Sequence, residues 1–223
     1  MLTALETNMK TIAFYNNKGG IGKTTFSVHT TLFASLRRIK SLAVGLDRQG
    51  DLCRWLARGD AQVQDGLAFR RGEFLDVIYS PMELPAKLKG YELVVADCPP
   101  AVEIVDKVSA DLWVVPLDGR LAIENMGNIY PHIRQAKCPI LIVVNRADLI
   151  GKTARENLLA AARGIDGAIL YAKPIPCSAA IAKAAEYQRA VWEVPYGRGT
   201  QGDEAVQALC AEILRQVGLA ERL

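Results

Sequence analysis

The sequence lacks a cysteine framework. Its five cysteines, Cys53, Cys98, Cys138, Cys177 and Cys210, are scattered, odd in number and never spaced as C-x-x-C, which argues against disulfide stapling, a zinc site or an iron–sulfur site. Reduced, mostly buried thiols are expected. Long hydrophobic runs are also missing: none approaches the ~18 residues of a membrane span. Met1 to Lys10 carries Glu6 and no apolar core, unlike a signal peptide. A cytoplasmic protein is expected. No low-complexity tract or solenoid-period repeat occurs, and a chain that is 50% hydrophobic and 23% charged is not of disordered type. The charge excess is small. A net charge of +3 and a pI near 8.6 permit an anionic partner without requiring one.

What is present is a phosphate cradle. The apolar run Thr11 to Tyr15 leads into Asn16-Asn17-Lys18-Gly19-Gly20-Ile21-Gly22-Lys23-Thr24-Thr25 and then a helical pattern. A strand, a glycine-rich turn and a helix start gather backbone N–H groups and the positive end of a helix dipole around one point, which suits a polyphosphate. As in the GK[ST] end of a P-loop, Lys23 would reach the β/γ-phosphates and the Thr24 hydroxyl would serve Mg²⁺. Two departures from the usual pattern stand out. Asn17 occupies the place of the first glycine, and Lys18 adds a second lysine beside the phosphates.

Downstream, apolar runs alternate with helical patterns, which indicates an α/β doubly wound, mostly parallel sheet with helices on both faces. With 223 residues, a single domain over 9–223 behind a short extension, 1–8, is expected. Thr24 to Arg38 reads as a helix in which His29 is packed or solvated rather than catalytic. Ser41 to Leu46 reads as a strand ending in Asp47-Arg48-Gln49-Gly50, at the strand edge where open α/β sheets bind ligands. Asp51 is expected to cap a short helix to Arg58, with Trp55 in the core.

Gln62 to Gly72 is polar and uninformative, Phe74 to Tyr79 a strand, and Pro81 to Lys89 a short helix or turn. Leu93 to Ala96 is a buried strand tipped by Asp97-Cys98-Pro99-Pro100, which suits a carboxylate held beside Mg²⁺. Leu112 to Leu117 reads as a strand, Leu121 to Gln135 as a helix, and Pro139 to Val144 as the most hydrophobic strand. Asn145 at its tip either forms a turn or reads a base through its two-sided amide. Thr153 to Arg163, Ala179 to Arg189 and Asp203 to Val217 read as helices. Ala168 to Tyr171 reads as a strand and Ile175-Pro176 as a short edge. The last helix has Arg215 as its only basic residue, unlike a membrane-surface helix.

In that order, Lys18 to Thr25, Asp47-Arg48-Gln49-Gly50 and Asp97-Cys98-Pro99-Pro100 strongly resemble the ParA/MinD family of deviant Walker-A ATPases, and the match spans nearly the whole chain. The resemblance implies ATP and Mg²⁺ as cofactors and an ATP-dependent homodimer in which Lys18 crosses to the partner's phosphates. It implies catalytic roles for Lys18, Lys23 and Asp47, where Asp47 is the switch aspartate that orients water. Metal binding falls to Thr24 and Asp97. Nucleotide binding falls to Lys18, Gly19, Gly20, Ile21, Gly22, Lys23, Thr24 and Thr25, with Asn145 and Pro176 where the family holds adenine. It further implies non-specific DNA binding, slow basal hydrolysis, an activator of ParB type and nucleoid association in the ATP state. The candidates for DNA contact are Lys183, Arg189 and Arg198, each of which could equally be a solvated cation.

The chain departs from its relatives in two ways. Gly45 stands where ParA relatives usually carry a second switch aspartate, which leaves a weakly hydrolysing regulatory binder open. The loop also begins near the start of the sequence, as in the short form without a helix-turn-helix domain. Of the rivals, a MinD-like membrane ATPase is disfavoured by the last helix and an iron–sulfur carrier by the lack of C-x-x-C. A carboxylate-phosphorylating enzyme of dethiobiotin-synthetase type is disfavoured by the Asp47 to Gly50 turn.

Overall fold

The computed structural model describes residues 9–58, 63–86, 88–118, 130–134, 138–165, 167–219 and 221. Among these the strands are β1 (Lys10–Phe14), β2 (Ser41–Gly45), β3 (Ala68–Gly72), β4 (Leu75–Tyr79), β5 (Leu93–Asp97), β6 (Leu112–Leu117), β7 (Ile140–Val144) and β8 (Ala168–Leu170). The helices are α1 (Lys23–Leu36), α2 (Asp51–Ala57), α3 (Lys152–Arg163), α4 (Ala179–Glu186) and α5 (Gln201–Gln216), and residues 130–134 are also helical.

All eight strands form one sheet in the order β3-β4-β2-β5-β1-β6-β7-β8. Every pairing is parallel except β3 with β4. The central strands are buried on both faces, so their sequences read as continuous apolar runs. Alternation along each strand splits the core in two. Ile12, Phe14, Leu93 and Val95 pack with α1, α2 and α5 on one face. Ala13, Tyr15, Val94 and Ala96 pack with Ile104, Val108 and Ile133 on the other. Each fully buried Val, Ile or Leu contributes about 1.5–3 kcal/mol relative to exposure.

The order also places the site. The chain passes from β1 outward to β2 and β4 by way of α1, returns to β5, and then crosses to β6 on the other side of β1. Such a reversal opens a crevice at the carboxyl ends of the strands. Parallel register brings Phe14, Gly45 and Asp97 level at that edge.

Several local expectations are corrected. The polar stretch before Phe74 contains β3, which forms an antiparallel hairpin with β4. A hydrophobic run does not mark it because it is a half-exposed edge strand. Asp51 does not cap α2. Gly50, at φ 65, occupies the cap, and Asp51 starts the helix and pairs with Arg54. Ile175-Pro176 forms no strand, although Ile175 N–H donates to Val144 O at 2.8 Å and so extends the sheet edge. Helix α4 ends at Glu186 rather than Arg189, because the chain turns through Tyr187 and Gln188, the latter at φ 52. Most of the helix expected from Leu121 to Gln135 lies outside the described residues, as do 1–8. Cys53, Cys98 and Cys210 are buried, Cys138 is half-buried and Cys177 is exposed.

Candidate functional site

The loop between β1 and α1 is shaped by two glycines in the left-handed region, Gly20 at φ 70 and Gly22 at φ 107. A side-chain carbon at Gly22 would stand 2.7 Å from Asn145 Nδ2, so the position excludes other residues on space as well as conformation. Carbons built at Gly19 and Gly20 would meet nothing within 4 Å. The loop front is therefore open to a ligand, with the unpaired N–H groups of the first turn of α1 behind it.

Asp97 sits at the tip of β5, on the face that carries α1, because it shares parity with Leu93 and Val95. Thr24 Oγ1 donates to its Oδ2 at 2.8 Å, and Ser27 Oγ lies 3.0 Å from its Oδ1. Burial pushes the Asp97 carboxyl up to about 6, against the pull of the Thr24 and Ser27 hydroxyls and Lys23 and with a further push from Asp47. Burial likewise lowers the Lys23 ammonium, opposed by Asp97 and Asp47. Lys23, Thr24 and Asp47 face a single cavity of about 510 Å³, lined also by Gly19, Gln49 and Pro100 among others, with Asp97 buried behind Thr24. The adjacent hydroxyl and carboxylate oxygens of Thr24 and Asp97 fit a hard cation such as Mg²⁺, which keeps several waters and takes one or two protein oxygens.

Asp47 is held by its own turn. Its Oδ1 accepts from Gln49 N–H and its carbonyl from Gly50 N–H, both at 2.9 Å. Tyr79 Oη, which donates to Arg48 O at 2.8 Å, tethers the same turn to β4.

A second cavity of about 270 Å³ adjoins the first through Gly20, Gly22 and Thr25. Asn145 and Pro176 line it, with Phe26, Ile181 and Ala182 as apolar walls. The structure thus joins the loop to both residues expected at a base. Asn145 also braces the backbone around it, since its Nδ2 donates to Ile21 O at 2.8 Å and its Oδ1 accepts from Arg146 N–H at 3.0 Å. One amide hydrogen and one lone pair are left for a ligand.

Sequence reasoning missed Ser27, Asp118 and Arg146. The last two join Lys18 in a charge cluster, in which Lys18 Nζ lies 2.9 Å from Asp118 Oδ1 and Arg146 pairs with the same carboxylate. Strand-end carboxylates and surface arginines are too common for sequence to signal such a meeting. Lys183, Arg189 and Arg198 are all exposed, and none lines either cavity. His29 is fully buried. Its Nδ1 lies 2.6 Å from Thr25 O, which can only accept, so Nδ1 carries the proton and Nε2 accepts from Val191 N–H at 3.0 Å.

Fold and loop together define a P-loop α/β protein with a second lysine in its phosphate-binding loop. A family model described as an AAA domain matches residues 9–78. The maintenance of carboxysome distribution protein A of Gloeobacter kilaueensis is 32% identical over 127 residues, 52% of this chain and 55% of that protein. The match therefore spans about half of that relative's length. Among solved structures, the septum site-determining protein MinD from Pyrococcus horikoshii, complexed with Mg-ADP, superposes with a TM-score of 0.74 at 20% identity, covering 95% of this chain and 98% of that one. Apo McdA from Cyanthece superposes at 0.73 with 16% identity over 90% and 98% of the two chains. At these identities the two structures show likeness of fold. With the motif residues in place, the loop and the fold of this chain are similar to those of the ParA/MinD family of deviant Walker-A proteins.

Proposed function

We propose that this chain is an ATPase that binds Mg-ATP, pairs face to face with a second copy around the nucleotide, and acts as a timer for positioning a cargo. The observation that carries the reading is the continuous crevice from the Thr24–Asp97 pair, past Lys23, to Asn145 and Pro176. It provides a cation site, a phosphate cradle and a base pocket in series. The MinD neighbour complexed with Mg-ADP supports that ligand assignment.

In this reading Thr24 and Asp97 hold the cation, whose charge offsets that developing on the phosphates. Lys23 and the backbone N–H groups of Gly19 to Thr25 position the phosphates. Lys18 reaches those of the partner subunit, and Asp47 orients the attacking water. Phosphoryl transfer depends mainly on such positioning and charge neutralisation. A lone switch carboxylate, with Gly45 in place of the second, accords with slow basal turnover. The paired state binds DNA through phosphates without sequence preference, associates with the nucleoid, and is released when an activator of ParB type speeds hydrolysis. The name of the curated relative favours positioning of a cellular body over plasmid partition. A membrane-bound version is disfavoured because Val206, Leu209 and Ile213, the apolar face of α5, are already buried in the core.

The test is ATP turnover and sedimentation with and without DNA. Lys23→Ala should abolish tight ATP binding, whereas Asp47→Ala should still dimerise with ATP but not hydrolyse it. Full steady-state turnover by Asp47→Ala would reject its role.

A further inference from the structure

The tip of β6 carries one carboxylate shared by two cations. Asp118, whose side chain is 14% exposed, accepts from Lys18 Nζ at 2.9 Å and pairs with the Arg146 guanidinium. Arg146 is anchored a second time, because its Nη2 donates to Gly20 O at 2.7 Å. Lys23 Nζ donates to the carbonyl of Lys18 at 2.8 Å. Lys18 is therefore held three times by its own subunit, at its side chain by Asp118, at its carbonyl by Lys23 and at its N–H by Asn16 Oδ1, 3.0 Å away.

We infer that Asp118 is a latch that parks Lys18 within its own subunit until nucleotide binds, and that Arg146 is the standby cation that keeps Asp118 compensated once Lys18 leaves. The inference rests on the reading that Lys18 serves a partner's phosphates. An ammonium bonded to Asp118 cannot reach across an interface, so pairing requires an exchange of partners. A largely buried carboxylate left without counter-charge would oppose that exchange strongly. Arg146 removes the obstacle, since its guanidinium is always charged and remains tied to both Asp118 and the loop.

The same geometry orders the events. Phosphates entering the cradle attract Lys23 Nζ, which then gives up the Lys18 carbonyl and loosens the backbone that carries Lys18. Release of the latch follows nucleotide binding. Asp118 and Arg146 are thus positioning residues with opposite effects: loss of the Asp118 charge frees Lys18, and loss of Arg146 leaves Asp118 dependent on it.

The experiment has two arms. In nucleotide-free protein, Lys18 is acetylated with an N-hydroxysuccinimide ester and its rate read by mass spectrometry against exposed Lys183. Asp118→Asn should label Lys18 about fivefold faster, Arg146→Gln about twofold slower, and Asp118→Glu at the wild-type rate. In the second arm, sedimentation should show ATP-dependent pairing about tenfold tighter in Asp118→Asn, equivalent to about 1.4 kcal/mol, and weaker in Arg146→Gln. Unchanged Lys18 labelling in Asp118→Asn, or shifts of pairing in the same direction in both variants, would overturn the latch. A wild-type protein that never pairs with ATP defeats the dimer reading, while the labelling arm still judges the latch. Should Asp118→Asn not fold, Arg146→Gln decides: slower labelling supports the latch and faster labelling overturns it.

Discussion

A side-chain carbon placed on Gly45 would stand 2.6 Å from Cys53 Sγ. Strand parity turns Gly45 toward α2, and the thiol, which donates to Ile78 O at 3.4 Å, fills the space that a side chain at this position would enter. Burial pushes the Cys53 thiol up to about 12, so it stays protonated. Gly45→Asp should therefore destabilise the protein by about 1–3 kcal/mol through overpacking alone, with partial recovery in Gly45→Asp/Cys53→Ala. Urea unfolding checks this. A Gly45→Asp midpoint equal to wild type would show that α2 yields freely.

Gly22 has a similar constraint beside the nucleotide crevice. With φ at 107 and Asn145 Nδ2 2.7 Å from a built carbon, Gly22→Ala must displace Asn145 and strain the loop. The expected outcome is at least a tenfold loss of affinity for a fluorescent ATP analogue, with stability lowered by about 1–3 kcal/mol. Unaltered affinity would mean that the Gly22–Asn145 contact has no part in binding.

Stability should depend on pH through His29. It is buried between Trp55 and Trp192, and burial pushes its pKa down from 6.5 to about 4. The unfolded chain takes up the proton first as pH falls. Stability is therefore fully present above about 6.5, declines between 6.5 and 4, and levels off below; the loss is roughly 3 kcal/mol, from about 1.4 kcal/mol per pH unit. Denaturant melts across this range should show the slope in wild type and a flatter profile in His29→Gln, and equal slopes would assign the effect to other groups.

Binding of DNA should be read against salt. If Lys183, Arg189 and Arg198 each neutralise one phosphate, replacing all three by Ala should reduce the slope of log affinity against log salt by about 2.7. An unchanged slope moves the contact elsewhere, and salt-independent binding by the wild type removes phosphate contact altogether.

Much of this architecture was legible because burial on both faces leaves continuous apolar runs. β1, β2, β5, β6 and β7 fall where such runs occur, and Lys23, Thr24 and Asp97 are recognisable from their place after a strand or at its tip. β3 was not legible, because an edge strand with a polar face has no such run. Asp51 resembles a cap in sequence, which does not reveal that Gly50 adopts φ 65. Ser27 gave no signal, since a helical serine becomes informative only when a carboxylate from β5 lies 3.0 Å away.

The order of strands and helices, the phosphate cradle and the presence of an unusual second lysine are all readable along the chain. These are local properties, set by hydrophobic periodicity and by residue types within a single loop. What that lysine touches depends on the folded arrangement. Lys18 and Asp118 are a hundred residues apart, and Arg146 reaches both Asp118 and Gly20 only because β1, β6 and β7 lie side by side in parallel register. Gly45 changed meaning for the same reason: in sequence it is a missing carboxylate, whereas in the fold it is the space that Cys53 fills.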